Sequence, residues 1–426
     1  MKNFIKKFNN SINKYLFPFF KKKELKELFK ILEENRDESK EVAMFVGGCV
    51  RNYLNSEQVK DIDIATVFSP DELKSRFDGT KFKVVDTGVE HGSVTLISGD
   101  NKYELTTLRK DVKTDGRHAE IKKINNWKED SNRRDFTINS IYMNIRGKIF
   151  DPQNGSLDLK NNVVKFIGDP QKRIQEDFLR IIRFIRFSIQ YQTEVDTSTI
   201  KALKLNLNGI KNISKERIFN ELLKILELKN FYKINDNIDL KSVFLLIFPE
   251  IKYINRIKNW LNEEKVFNFD SANKLAILTL DETNNCEYFC HKYKTSKAIA
   301  NKFNILASCF NQSKQDRQFF DANLKKNLYF YGREIIKLIN LINQLSKKNS
   351  KKRETFDRIK NKIDKTEIPS FPYGGEFLKK RGLKEGAILG KTLNQLEKVW
   401  VDGNFILSEK KVEEIISSFK NPIKYN

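Results

Sequence analysis

Histidine is nearly missing from this chain: His91, His118 and His291 are the only three in 426 residues. Scattered imidazoles cannot build the clustered histidine site of a phosphohydrolase. Cysteine is scarce as well, and Cys49, Cys286, Cys290 and Cys309 show no paired metal spacing. Cys286 and Cys290, four apart, fit one face of a helix; a zinc site there would need further ligands, and only His291 is at hand. A reduced, cytoplasmic chain is the simplest reading. No apolar run nears the ~20 residues that span a bilayer, so no membrane is expected. From Met1 to Lys30 the chain carries nine Lys against two Glu around the run Tyr15 to Phe20. It lacks the small-residue cleavage site of a secretory signal there, and an organellar presequence would favour Arg and Ser.

What the chain has in abundance is positive charge. Lys plus Arg number 79 against 56 acidic residues, a net +23 with a pI near 9.5. Such a chain usually meets a polyanion, either nucleic acid or a membrane surface. A genome rich in A and T would inflate Lys, Asn and Ile to the same total, so charge alone does not choose. The length allows two to four domains. Lys23 to Glu34 reads as an amphipathic helix, with Leu25, Leu28, Phe29 and Leu32 at helical spacing. Strand-like stretches (Val42 to Val46, Asp61 to Ile64, Ser93 to Ile97, Tyr103 to Leu108) cluster in the first third. From about Ile174 the pattern is helical to the end, which predicts an α+β head on a long helical body. Lys347 to Lys365, nine basic residues against three acidic, reads as a solvated basic helix or linker before a last small domain.

Five short segments carry the chemistry. Asp61 and Asp63, two apart on a strand, share a face about 6–7 Å apart at the backbone. They can converge on one or two divalent ions that activate a hydroxyl and neutralise a leaving pyrophosphate, although many such pairs are simply surface acids. Upstream, Val42 to Val46 runs into Gly47-Gly48-Cys49-Val50-Arg51, a turn where amides can approach phosphate oxygens and Arg51 can add a charged fork. Glu104 lies opposite Tyr103 and Leu105 by alternation; it is a third metal-facing carboxylate or an exposed strand Glu. Arg109 to Glu120, polar and without periodicity, is expected to be a mobile loop. In Arg133-Arg134-Asp135-Phe136-Thr137-Ile138-Asn139, Asp135 and Asn139 would share a helix face suited to ribose hydroxyls, or Asp135 would merely cap the helix. Glu176 to Phe187 (EDFLRIIRFIRF) reads as one helix that is apolar nearly all round, yet Asp177, Arg180 and Arg183 recur at three-residue spacing. Such a seam either pairs internally, Asp177 with Arg180, or faces a polar ligand. A carboxylate and a guanidinium together match the Watson–Crick edge of a base.

The order and wording of these segments resemble the class II tRNA nucleotidyltransferases, the CCA-adding enzymes of the poly(A) polymerase superfamily. Gly47-Gly48-x-Val50-Arg51 with Asp61-x-Asp63 is similar to the family's first motif, and Arg133 to Asn139 to its second. Asp151-x-x-x-Gly155 is similar to the third, Glu176-Asp177-x-x-Arg180 to the fourth and Ser214-x-x-Arg217-x-x-x-Glu221 to the fifth. Pro372-Tyr373-Gly374-Gly375 through Gly390-Lys391 resembles a tail segment. The resemblance implies a polymerase-beta-like nucleotidyltransferase head (residues 1–160), then an all-α neck (161–228), body (229–346) and tail (347–426). It implies template-independent addition of C, C and A to the 3′ end of tRNA from CTP and ATP, with no stable protein partner. Asp61 and Asp63, with Glu104, would bind Mg2+ and carry catalysis. Gly47, Gly48, Arg51, Arg134, Asp135, Asn139, Asp177, Arg180 and Arg183 would bind the nucleotide, Asp177 and Arg180 selecting its base. Arg109 to Glu120 would be the family's flexible loop, which helps the switch from C to A. Asn52, where the family has Asp, and Lys165, where it has Arg, depart from the pattern, and Lys cannot make a bidentate fork. The alternatives are a poly(A) polymerase, an enzyme adding only CC or only A, and a silent tRNA-binding protein.

Overall fold

The structure is a computed structural model and describes residues 18–37, 39–115, 118–257, 269–345 and 351–420. The chain forms two compact units, Met1–Pro249 and Glu250–Asn426.

The first unit is built on a seven-stranded sheet. Its strands are β1 (Ala43–Val46), β2 (Ile62–Thr66), β3 (Lys83–Gly88), β4 (Ser93–Ser98), β5 (Asn101–Thr107), β8 (Tyr142–Met143) and β9 (Ile149–Phe150), in the order β3-β4-β5-β2-β1-β8-β9. β2 and β5 run parallel, and every other neighbouring pair is antiparallel. Alternation along β1 and β2 gives each face its own task. Phe45, Ile62 and Ile64 are buried, and the rings of Phe19 and Phe29 stand 4.9 and 4.7 Å from that of Phe45. Phe29 comes from α1 (Lys23–Glu33), which buries Leu25, Leu28, Phe29 and Leu32 as their spacing predicts. Met44, Val46, Ala65, Leu108 and Tyr142 form a second cluster under Trp127. Asp63 lies two residues before Ala65 and so shares that second face. Residues 15–17 of the run Tyr15 to Phe20 fall outside the described residues.

Two expectations are corrected here. Arg109 to Glu120 is not a loop: β6 (Arg109–Asp115) and β7 (His118–Lys123) pair as an antiparallel hairpin, with Asp115 opposite His118. The two strands form a sheet of their own, joined by cross-strand hydrogen bonds, and their polar sequence carries no apolar alternation that would announce strands. Residues 116 and 117 lie outside the described residues. Lys351–Lys365 is a helix but not wholly solvated. Phe356 and Ile363 are buried, and Asn340 of the preceding helix, Arg333–Leu345, donates to the Phe356 carbonyl.

Among the described residues every strand falls before residue 151, and the chain beyond is helical. In the second unit, Leu378, Leu383, Leu396, Val412, Ile415 and Ile416 make a closing core. All four cysteines are free, with Cys286 and Cys290 both on the helix Asn285–Tyr293. No helix among the described residues is long and apolar enough to cross a membrane.

Candidate active site

β1 ends at Val46, and Gly47 turns the chain with φ 71° and ψ −126°, a conformation that side chains rarely adopt. A Cβ on Gly47 would stand 3.7 Å from Oδ2 of Asp63, so the missing side chain also keeps that carboxylate open. α2 (Gly48–Leu54) follows and carries Arg51 one turn in. Arg51 is buried; it donates to Oδ1 of Asn139, its guanidinium lies 4.8 Å from the Phe187 ring, and its Nε has no hydrogen-bond partner. A buried guanidinium with unspent donors suits an anion.

The carboxylates meet across the parallel strands. In register, Asp63 of β2 lies opposite Glu104 of β5, and Asp61 immediately precedes β2. Burial first, and the Glu104 charge next, push the Asp63 carboxyl up to about 6; Asp61 adds in the same direction while Arg134 and Arg51 oppose. Mutual repulsion of this kind is what a divalent cation relieves, and the all-oxygen donor set suits a hard ion. Among the described residues no three His, Cys, Asp or Glu stand close enough together to hold a metal ion by themselves. An open set of acids on two adjoining interior strands is the arrangement a metal shared with a substrate requires.

The second motif is corrected in its geometry. Thr137–Asn139 is a 3₁₀ turn, not a helix face, yet Asn139 Nδ2 still donates to Asp135 at 2.9 Å. Asp135 Oδ1 also accepts from the Phe136 amide at 2.9 Å, and its Oδ2 accepts from Arg183 at 2.6 and 2.8 Å. Burial alone would raise the Asp135 carboxyl; Arg183 foremost, with Asn139, holds it far below the usual range instead. Arg134 is clamped to Asp130 at 3.1 Å and donates to the Tyr142 hydroxyl at 3.0 Å.

The fourth motif does not lie on one helix. α3 (Pro170–Glu176) stops, Asp177 is extended with φ −153° and ψ 105°, and α4 (Leu179–Tyr191) restarts the spiral. Asp177 Oδ1 accepts from the Leu179 amide at 3.1 Å, an acid closing a helix start. Phe178 fits against Gly209, where any Cβ would come within 2.1 Å of its ring. The internal pair Asp177–Arg180 is not formed. Asp177 pairs with Arg217 at 2.8 Å, and Arg180 pairs with Glu176 at 2.5 Å. Both partners of Asp177 and Arg183 on the fifth motif come from α5 (Lys215–Glu227). There the buried Glu221 takes Arg186 at 2.8 Å and Arg183 at 3.7 Å.

Gly47, Gly48, Arg51, Asp63, Arg134, Asp135, Asn139, Asp177, Arg180 and Arg183 line one cavity of about 500 Å³; Asp61 and Glu104 stand outside its lining, beside Asp63. Seven arginines against three aspartates in the lining make it an anion site. Two contributors, Arg186 and Asp130, went unread in the sequence, and two more, Arg109 and Arg133, were named there only as parts of longer segments. Arg186 lines the cavity with its guanidinium 4.1 Å from the Phe187 ring, and Arg109 and Arg133 line it too. Asp130, fully buried, holds both Arg133 and Arg134. Arg186 had a signal, since it continues the three-residue spacing of Arg180 and Arg183; Asp130 had none.

Comparison with known proteins agrees with this geometry. The model of the poly A polymerase head domain matches residues 43–165, the RNA and SrmB-binding site of polymerase A matches 194–254, and tRNA nucleotidyltransferase domain 2 matches 267–416. The CCA-adding enzyme of Ligilactobacillus salivarius is 32% identical, over 91% of this chain and 95% of that one. The chain belongs to the CCA-adding enzymes. A human family member, mitochondrial CCA tRNA nucleotidyltransferase 1, is 30% identical over 93% of this chain and 89% of its own. Among solved structures, a CCA-adding enzyme of Bacillus stearothermophilus in complex with CTP shares the fold at a TM-score of 0.64. It is 21% identical, covering 94% of this chain and 98% of that one.

Proposed function

We propose that this CCA-adding enzyme completes tRNA by adding C, C and A to its 3′ end from CTP and ATP, and that the cavity under Gly47 is where each nucleotide is held and read. The single observation that carries the reading is the joining, in one arginine-lined cavity, of Asp63 with Asp177 and Arg180. The 3′ hydroxyl of the RNA attacks the α-phosphorus, a phosphodiester bond forms, and pyrophosphate leaves. Asp61 and Asp63, with Glu104 beside them, would hold Mg2+, which supplies charge neutralisation for the attacking and leaving oxygens. Arg51 binds triphosphate oxygens with the donors left over from Asn139 and Phe187. Asp135 and Asn139, fixed by Arg183, take the ribose side.

Asp177 and Arg180 read the base. Cytosine offers its amino group to the carboxylate, while its ring nitrogen and carbonyl accept from Arg180; adenine offers its amino group and N1. Uracil and guanine place a carbonyl against the carboxylate, leaving acceptors unpaired at a cost of ~1–3 kcal/mol for each pair lost. Helices of the neck, body and tail, with boundaries near residues 160, 228 and 346, would grip the tRNA through its phosphates, in keeping with the +23 charge. The four free cysteines fit a cytoplasmic location.

The test is incubation of purified protein with tRNA lacking its 3′ end, tRNA ending in CC, and oligo(A), each with CTP or ATP, followed by sequencing. Two C residues on the first, one A on the second and nothing on oligo(A) support the reading. A growing tail on oligo(A) would instead assign the head to a poly(A) polymerase.

A further inference from the structure

Arg173 lies on α3, outside the lining of the cavity, yet it is 8% exposed and touches both halves of the site's support. Its Nη2 donates to the carbonyls of Arg133 and Arg134, each at 2.5 Å. Its Nη1 donates to Oε2 of Glu176, and the same oxygen accepts from Arg180 Nη1 at 2.5 Å. Arg180 Nη1 in turn donates to the Arg173 carbonyl at 2.7 Å. The side chains of Arg133 and Arg134 are pinned from the other direction by Asp130, at 2.8 and 3.1 Å. Hydrogen bonds therefore run without a gap from Asp130 through the second motif to Arg173, Glu176 and Arg180.

We propose that Arg173 is a positioning residue for nucleotide selection: it sets the Arg180 guanidinium at a fixed distance from the second-motif segment Arg133–Arg134 of the cavity wall. This rests on the reading of Arg180 as a base-selecting group. The physical requirement is a planar fork. One nitrogen must meet two carbonyls while the other meets a carboxylate, which an ammonium at a single point cannot do. Two cations share the Glu176 carboxylate; burial and the nearby Arg180 pull Arg173 below its ordinary value, so without Glu176 they would part. Losing the fork lets Arg180 follow whichever base enters, and a displacement of about 1 Å is enough to change rates at such sites.

The test compares Arg173→Lys, Glu176→Gln and the double variant, with Arg180→Ala as the control on the underlying reading. Incorporation of UTP relative to CTP on a tRNA lacking its 3′ end is measured by sequencing, with a melting curve for each protein. Arg173→Lys and Glu176→Gln should each raise the UTP:CTP ratio roughly 10-fold, and the double variant should raise it no further, because both break one chain. Unchanged ratios in the two single variants, with Arg180→Ala altering the ratio, would overturn the positioning role while leaving the base reader intact. Effects that multiply in the double variant would also overturn it, since the two residues would then act separately. An unchanged ratio in Arg180→Ala would remove the base reading itself, and the role of Arg173 with it.

Discussion

Asp63→Asn should make the protein more stable while abolishing nucleotide addition. The Asp63 carboxyl is pushed from an ordinary 3.8 up to about 6 by burial and by Glu104. A folded value above the unfolded one means that folding favours the protonated acid. Below about pH 4 the acid is protonated in both states and nothing is lost; stability then falls as pH rises to about 6 and stays low above it. The loss at pH 8 comes to roughly 2–3 kcal/mol. Asparagine keeps the shape without the charge, so it recovers most of that loss at pH 8 and none at pH 4. For a unit of this size the gain corresponds to about 4–10 °C in the melting temperature. The assay is thermal unfolding of both proteins in chelator at pH 4.5 and pH 8, where no bound cation offsets the repulsion. A variant that melts at or below the parent at pH 8 would refute the reasoning. So would an equal rise at both pH values, because the cause would then be packing rather than charge.

Three other perturbations follow from particular contacts. Gly209→Ala forces its Cβ into the Phe178 ring, so it should cost about 1–3 kcal/mol in urea unfolding and loosen nucleotide choice, because Phe178 is bonded to Asp177. Glu221→Ala strands the largely buried guanidinium of Arg186, while Arg183 keeps Asp135, and should lower stability by ~3–5 kcal/mol; unfolding unchanged within error would show that water replaces the carboxylate. Shortening the hairpin at Lys113 to Asp115 should spare CC addition and impair the final A, read on tRNA ending before CC and after it; equal loss of both steps would make the ribbon a fold element only.

The parts of the site legible in the sequence are those where a residue type and a short spacing suffice. Gly47-Gly48 announces a turn, Asp61-x-Asp63 a strand face, and Arg180-x-x-Arg183 a helix seam, and all need only local periodicity. What stayed hidden depends on distance along the chain. Asp63 and Glu104 are register partners only because β2 and β5 run parallel, which no local pattern declares. The partners of Asp177 and Asp135, Arg217 and Arg183, lie 40 and 48 residues away. The break at Asp177 was masked because apolar residues continue at helical spacing on both sides of it, while the break itself is made by a side chain closing the next helix and by a glycine at residue 209. The hairpin was hidden for the opposite reason, since its polar sequence carries no apolar alternation.

The measurement closest to the central claim is the choice among four competing nucleotides made by Asp177→Ala. Removing the carboxylate takes one partner, at 2.8 Å, from the partly exposed Arg217 and uncaps the Leu179 amide, which together should cost the fold roughly 1–3 kcal/mol. With CTP, ATP, UTP and GTP present together on a tRNA lacking its 3′ end, the parent should insert C, C and A and stop. The variant should admit U and G roughly 10-fold more often, the loss expected when one ~1–3 kcal/mol pairing no longer discriminates. Unaltered incorporation ratios in a folded, active variant would contradict the account, and would assign Asp177 to the scaffold between α3 and α5 rather than to the reading of the base.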